Sequence, residues 1–158
     1  MPIVLQQVSY PVTETLISIL HDADEDDQRI RTTLANEAYT SYAAIDGEQL
    51  VGAATMRESE IEYIAVAPMQ RGKGSGKAIM AALLAEARLR NVRAVLVGTG
   101  NSSWDTIAFY QKCGFRMDHV RKDYFHYIHP PLIEDGIRLQ DMLVLRWENE
   151  AIRSEAVV

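Results

Sequence analysis

The chain has 158 residues and a formal net charge of −6. That length suits one domain, residues 1–158, able to bury roughly 70% of the surface its unfolded form exposes; the acidic balance argues against a nucleic-acid partner, which needs a basic face to displace counterions from phosphates. One cysteine, Cys113, excludes an internal disulfide and any Cys-rich zinc site, the longest apolar run (78–85) falls far short of the ~18 residues of a membrane span, and residues 1–10 lack the basic start of a signal peptide, so a cytoplasmic protein with no membrane partner is expected.

Residues 3–8 read as a strand, and Val12, Leu16, Ile17 and Leu20 then recur at helical spacing. Asp22, Asp24, Glu25, Asp26 and Asp27 form an acidic patch before a second helix over 28–35. Such a patch suits either the steering of a cationic substrate or a plain solvated turn. Residues 39–45 and 49–56 flank Asp46-Gly47, a dipeptide suited to a tight hairpin with both central residues at positive φ. Residues 60–66 predict a third strand of that meander, closed by Ala67-Pro68, where proline cannot donate to the ladder. From 76 to 90, Ile79, Met80, Leu83, Leu84 and Ala87 mark one stripe of an amphipathic helix, and Asn91 suits its end. Residues 94–97 predict a short strand parallel to 60–66, because the helix between them makes a crossover connection. Ser102-Ser103-Trp104-Asp105 has the S-x-x-D pattern of a capped helix start, and Gly114 can take the left-handed position that ends that helix. Phe115 opens the final strands, of which 142–147 is the strongest, while Pro130-Pro131 places 128–131 in a loop. The element order is that of an α/β chain.

Between the third strand and the long helix lies Arg71-Gly72-Lys73-Gly74-Ser75-Gly76, followed by Lys77. At a strand-to-helix junction, free backbone N–H groups and the positive end of the helix dipole converge on an anion, and glycines let the backbone approach it. A Walker A loop is excluded, since Gly76-Lys77 is followed by Ala78 rather than Ser or Thr. A dinucleotide fingerprint fails as well, because its third glycine falls on Lys77 or Ile79. The plain alternative is a glycine-rich turn that only caps a helix.

Residues 64–76, Ile64-Ala65-Val66-Ala67-Pro68-Met69-Gln70-Arg71-Gly72-Lys73-Gly74-Ser75-Gly76, resemble the signature segment of the GNAT (GCN5-related N-acetyltransferase) family, with Arg71, Gly74 and Gly76 on the pattern Arg/Gln-x-x-Gly-x-Gly/Ala. Residues 108–115, Ala108-Phe109-Tyr110-Gln111-Lys112-Cys113-Gly114-Phe115, are similar to its second signature, so the resemblance spans roughly 49–115. It implies a mixed, mostly antiparallel central sheet flanked by about four helices. It also implies acetyl-CoA as co-substrate, with the 71–77 loop on the pyrophosphate and the pantetheine arm pairing along Ile64, Ala65 and Val66. Members carry an asparagine about seven residues before the tyrosine; that count reaches Ser103, and Asn101 is the nearest candidate contact to CoA.

An ammonium has no lone pair, so N-acetylation calls for a base to deprotonate the amine and an acid for the departing thiolate. Glu60 and Glu62 are the candidate bases, placed on one face by strand alternation, and the resemblance puts Glu60 on the family's catalytic glutamate. Either can equally be an ordinary solvent-side carboxylate. Tyr110 is the candidate acid, with a packed core aromatic as its alternative. His119, His126 and His129 lack any recognised ligand spacing, so no metal is expected and the region reads as a substrate-side loop or plain surface. Cys113 reads as a small buried side chain. The leading expectation is acetyl transfer to a primary amine of a small molecule or peptide by direct attack in a ternary complex. A protein or peptide N-acetylase is the alternative among enzymes, and a non-catalytic acyl-CoA sensor the alternative outside them. Oligomeric state is open, a homodimer included.

Overall fold

The computed structural model describes residues 2–152, so the expected 1–158 domain extends beyond the described residues at residue 1 and at 153–158. The backbone forms two compact units, one running to Val92 and one starting at Arg93. In the first, β1 (Val4–Val8), β2 (Tyr39–Asp46), β3 (Gln49–Arg57) and β4 (Glu60–Val66) lie in the order β1-β2-β3-β4, each antiparallel to the next. Helices α1 (Glu14–Leu20), α2 (Asp27–Ala35) and α3 (Ser75–Leu89) cover this sheet.

Seven residues are too few for an isolated helix to persist in water, so α1 exists through packing. Thr13 caps it by accepting the Leu16 N–H at 3.3 Å, and Leu16, Ile17, Ile19 and Leu20 are all buried. With Ile30 and Leu34 of α2 they form a core against Ala43, Ala53, Tyr63 and Ala65, which define one face of the sheet. Helix α3 takes the opposite face, and Ile79, Met80, Leu83, Leu84 and Ala87 are its buried residues, matching the stripe read in the sequence. Asn91, at φ 55°, takes the left-handed position after it.

Gly52 is where α3 approaches the sheet most closely. A Cβ there would lie 2.5 Å from both the Ala65 carbonyl oxygen and Ile79 Cδ1, and a backbone oxygen held in a ladder cannot retreat. Gly52→Ala is expected to cost about 2–3 kcal/mol through overpacking. A melting scan should show a drop of roughly 5–10 °C for a chain of this size; an unchanged midpoint would contradict the close approach.

Two ladder irregularities depart from simple alternation. In the β2–β3 hairpin Asp46 pairs with Gln49, so the loop is Gly47-Glu48 rather than Asp46-Gly47, and only Gly47 sits at positive φ, 66°. Ala44 faces Gly52 while Ile45 faces Leu50, leaving Val51 as an extra, bulged residue. In β3–β4, Thr55 faces Tyr63 and Met56 faces Ile61, which leaves Glu62 as the extra residue.

In the second unit, β5 (Ala94–Gly100), β9 (Met142–Glu148) and β6 (Arg116–Arg121) lie in the order β5-β9-β6, both pairs antiparallel, with α4 (Trp104–Lys112) following β5. Gly114, at φ 99°, ends α4 as expected. The S-x-x-D start is not a capping box. Ser103 holds the cap position without a side-chain hydrogen bond, and the Ser102 hydroxyl donates instead to Glu134 at 2.7 Å. A small hairpin, β7 (Ile133–Glu134) with β8 (Ile137–Arg138), turns at Asp135 and Gly136, both at positive φ (50° and 76°). This is the Asp-Gly turn that was expected at 46–47. Residues 128–131 form the loop predicted at the two prolines.

Candidate active site

A 3₁₀ turn at Pro68–Gln70 carries the chain from β4 into the loop. Gly72 and Gly74 adopt φ of 75° and 79°, and a Cβ at either would meet nothing within 4 Å. The glycines therefore serve backbone conformation and an open outer side, not tight packing. Gly74 is the residue before α3 and, lacking a side chain, caps none of its amides. The first helical bond runs from Ala78 N–H to Gly74 O at 3.1 Å, so the amides of Ser75, Gly76 and Lys77 have no acceptor within the helix. Arg71, Lys73 and Lys77 are exposed around them. Free amides, a helix N-terminus and three cations on an open loop fit a pyrophosphate.

The acidic run beside this loop is consumed by internal contacts. Asp22 pairs with Arg71 at 3.1 Å, and Asp24 accepts the Tyr63 hydroxyl at 3.0 Å. Asp26 caps α2 through the Arg29 N–H, and Asp27 bonds Arg31 and His21 at 2.6 and 2.8 Å. Arg31, and then His21, hold the Asp27 carboxyl below the ordinary range. Asp24, Asp26 and Asp27 thus anchor the α1–α2 segment and Asp22 is held by an exposed pair with Arg71, which leaves little of the free patch considered for steering a substrate.

The bulge at Glu62 bears directly on the candidate bases. Directly opposed residues share a face, so Ile61 joins the face of Met56 and Glu60 that of Arg57. The extra residue interrupts simple alternation at Glu62, so the spacing of two no longer fixes by itself which way Glu62 points relative to Glu60. Glu62 is exposed and Glu60 half-buried. Tyr110, on α4, is 6% exposed, with its ring tilted against Phe109 and Phe115 at centroid distances of 5.6 and 5.9 Å. Burial, with a smaller contribution from Cys113, pushes its hydroxyl pKa well above the ordinary tyrosine value. The phenol therefore stays protonated at neutral pH. Cys113 itself is half-buried rather than fully buried.

Asn101 is put to a use its sequence position does not reveal. Its side-chain oxygen accepts the backbone N–H groups of Gln140 and Asp141 at 2.9 and 3.0 Å, and its amide donates to Arg138 O at 3.1 Å. It staples the end of β5 to a segment 37–40 residues away, a task that employs both ends of the amide. His119 and His126 bond Asp118 and the Asp123 carbonyl at 2.6 and 2.9 Å, and among the described residues no three His, Cys, Asp or Glu side chains come together as a metal site would require.

A glycine-rich loop with free amides at a strand-to-helix junction, preceded by a bulged strand that carries two carboxylates, suits an anionic cofactor. Residues 9–115 match the model of the acetyltransferase (GNAT) family, and the chain belongs to that family as an acetyl-CoA-dependent acetyltransferase. It is 34% identical over 116 residues to the uncharacterized N-acetyltransferase YvbK of Bacillus subtilis strain 168, covering 69% of this chain and 72% of that one. A Bacillus subtilis acetyltransferase solved in complex with CoA is 28% identical with a TM-score of 0.82, over 94% of this chain and 98% of that one. A GNAT acetyltransferase from Elizabethkingia anophelis solved with acetyl-CoA bound is 27% identical with a TM-score of 0.81, over 93% and 98%. The mixed fold with its mostly antiparallel strand pairing and flanking helices is that of these relatives. No helix among the described residues is long and apolar enough to cross a membrane.

Proposed function

We propose that the chain moves the acetyl group of acetyl-CoA to a primary amine of a small molecule or peptide, by direct attack within a ternary complex. The observation that carries this reading is the open, uncapped start of α3, where the amides of Ser75, Gly76 and Lys77 and the cations Arg71, Lys73 and Lys77 can hold the pyrophosphate. The backbone of Ile64, Ala65 and Val66 would take the pantetheine amides as an added strand takes a partner. When bound, the co-substrate supplies an activated thioester. Glu60 or Glu62 accepts the proton that the ammonium must lose before nitrogen can attack, and Tyr110 is the candidate acid for the departing thiolate. Asn101 keeps one N–H of its amide for a CoA contact, because its oxygen and its other N–H are engaged by the 138–141 backbone.

A panel of small amines and a panel of peptides, assayed for CoA-thiol release with mass spectrometry of products, tests this reading. An acetylated amine in either panel is the expected result, and the panel that reacts separates the small-molecule from the peptide reading. Tight CoA binding with no acetylated product in either would replace the enzyme by an acyl-CoA sensor.

A further inference from the structure

Arg71, the first residue of the phosphate loop, is engaged from outside the loop. Its Nη2 lies 3.1 Å from Oδ1 of Asp22, in the turn that follows α1, and the two side chains are 50% and 51% exposed. Two residues on, Asp24 is held far more firmly. Its side chain is 13% exposed, it accepts the Tyr63 hydroxyl at 3.0 Å and the Asp26 N–H at 2.9 Å, and Arg29 lies 3.6 Å away. The turn thus carries one fixed carboxylate, which pins it to β4, and one exchangeable carboxylate, which reaches the loop.

An ion pair this exposed contributes little to stability, whereas a pyrophosphate offers the guanidinium more charge and more acceptor oxygens than a lone carboxylate. We propose that Asp22 is an internal competitor for the cofactor's phosphate. It occupies Arg71 while the loop is empty and yields it when phosphate arrives. Because Asp24 pins the turn, the displaced carboxylate stays close to the loop and the competition persists. The consequence is a deliberately weakened grip on acetyl-CoA and on product CoA, which favours release of the latter. This inference rests on the loop being the pyrophosphate site.

Calorimetric titration of CoA into the full chain and its variants tests it. Asp22→Asn should bind CoA about fivefold more tightly, the factor that roughly one solvent-exposed charge contact is worth. The gain should shrink at high salt and vanish when Arg71→Gln is already present. Unchanged or weaker binding by Asp22→Asn, or an equal gain with Arg71 replaced, overturns the competition. Gly74→Asp separates this failure from that of the loop itself. If Gly74→Asp loses CoA and Asp22→Asn changes nothing, the loop stands and the competitor falls, whereas normal binding by Gly74→Asp brings down both.

Discussion

Gly74→Asp is expected to fold and to lose acetyl-CoA. Gly74 sits at φ 79°, ψ 9°, a left-handed conformation that costs most L-residues about 1–2 kcal/mol but that Asp and Asn tolerate comparatively well. A new Cβ meets nothing within 4 Å, so the side chain has room, and crowding is not what should abolish binding. The charge is. A carboxylate placed at the start of α3 would bond the same first-turn amides that are proposed to hold the pyrophosphate, and would repel its oxygens as well. Repulsion between unit charges about 4 Å apart is worth about 1 kcal/mol in bulk water and about 4 kcal/mol near a protein surface, so a loss of about 10²-fold or more in affinity follows for a multiply charged ligand. Gly74→Asn is the matched control, with the same backbone demand and no charge. Calorimetry should find most of the affinity kept with Asn and none detectable with Asp, at similar melting temperatures. Equal affinities for the two variants would remove the phosphate from this end of the helix.

How much of this was legible in the sequence depends on whether the signal was local. The α3 stripe and the strand Glu60–Val66 could be read because a 3.6-residue period, a proline and a glycine-rich loop each impose conformation within a few residues. Pairing geometry could not be read. Nothing in 60–66 announces the bulge at Glu62, which arises from how β4 matches β3, so counting by twos passes over an extra residue in the ladder. The two Asp-Gly pairs show the same limit. Both have the right chemistry for a turn, yet only Asp135-Gly136 puts both residues at positive φ, while at Asp46-Gly47 the register of the flanking strands moves the loop one residue on. The acidic run looked like a free patch because its partners, Arg71 and Tyr63, lie far along the chain. The structural role of Asn101 was hidden for a related reason. An amide near a family motif invites a role at the cofactor, and only the fold reveals the 138–141 backbone waiting for it.

Tyr110→Phe is expected to lower kcat by about 10²-fold, near the bottom of the usual range for a general acid or base, while acetyl-CoA affinity and melting temperature at neutral pH change little. The small size of the effect has a physical reason. Burial raises the Tyr110 pKa above its ordinary value near 10, and a thiol has a pKa near 8.5, so complete transfer of the proton from phenol to thiolate runs uphill. In the proposed reaction the hydroxyl would act chiefly as a hydrogen-bond donor to sulfur as charge builds there, with the proton finally supplied through water. The same pKa shift predicts how the variant should differ from the parent in alkali. With the folded pKa raised, the folded state holds its proton after the unfolded chain has released it, so this stabilising contribution is intact below about pH 10 and is lost as pH climbs beyond. Tyr63, whose hydroxyl is raised mainly by burial, adds a loss of the same sign. Phe at position 110 keeps the ring against Phe109 and Phe115 and removes one of the two titrating groups, so the fall in stability above about pH 10 should be shallower in the variant. A variant with full kcat but the shallower alkaline slope would show that Tyr110 is a buried core aromatic and that sulfur receives its proton from solvent alone. A fall in kcat with the predicted slope would place its hydroxyl in the reaction.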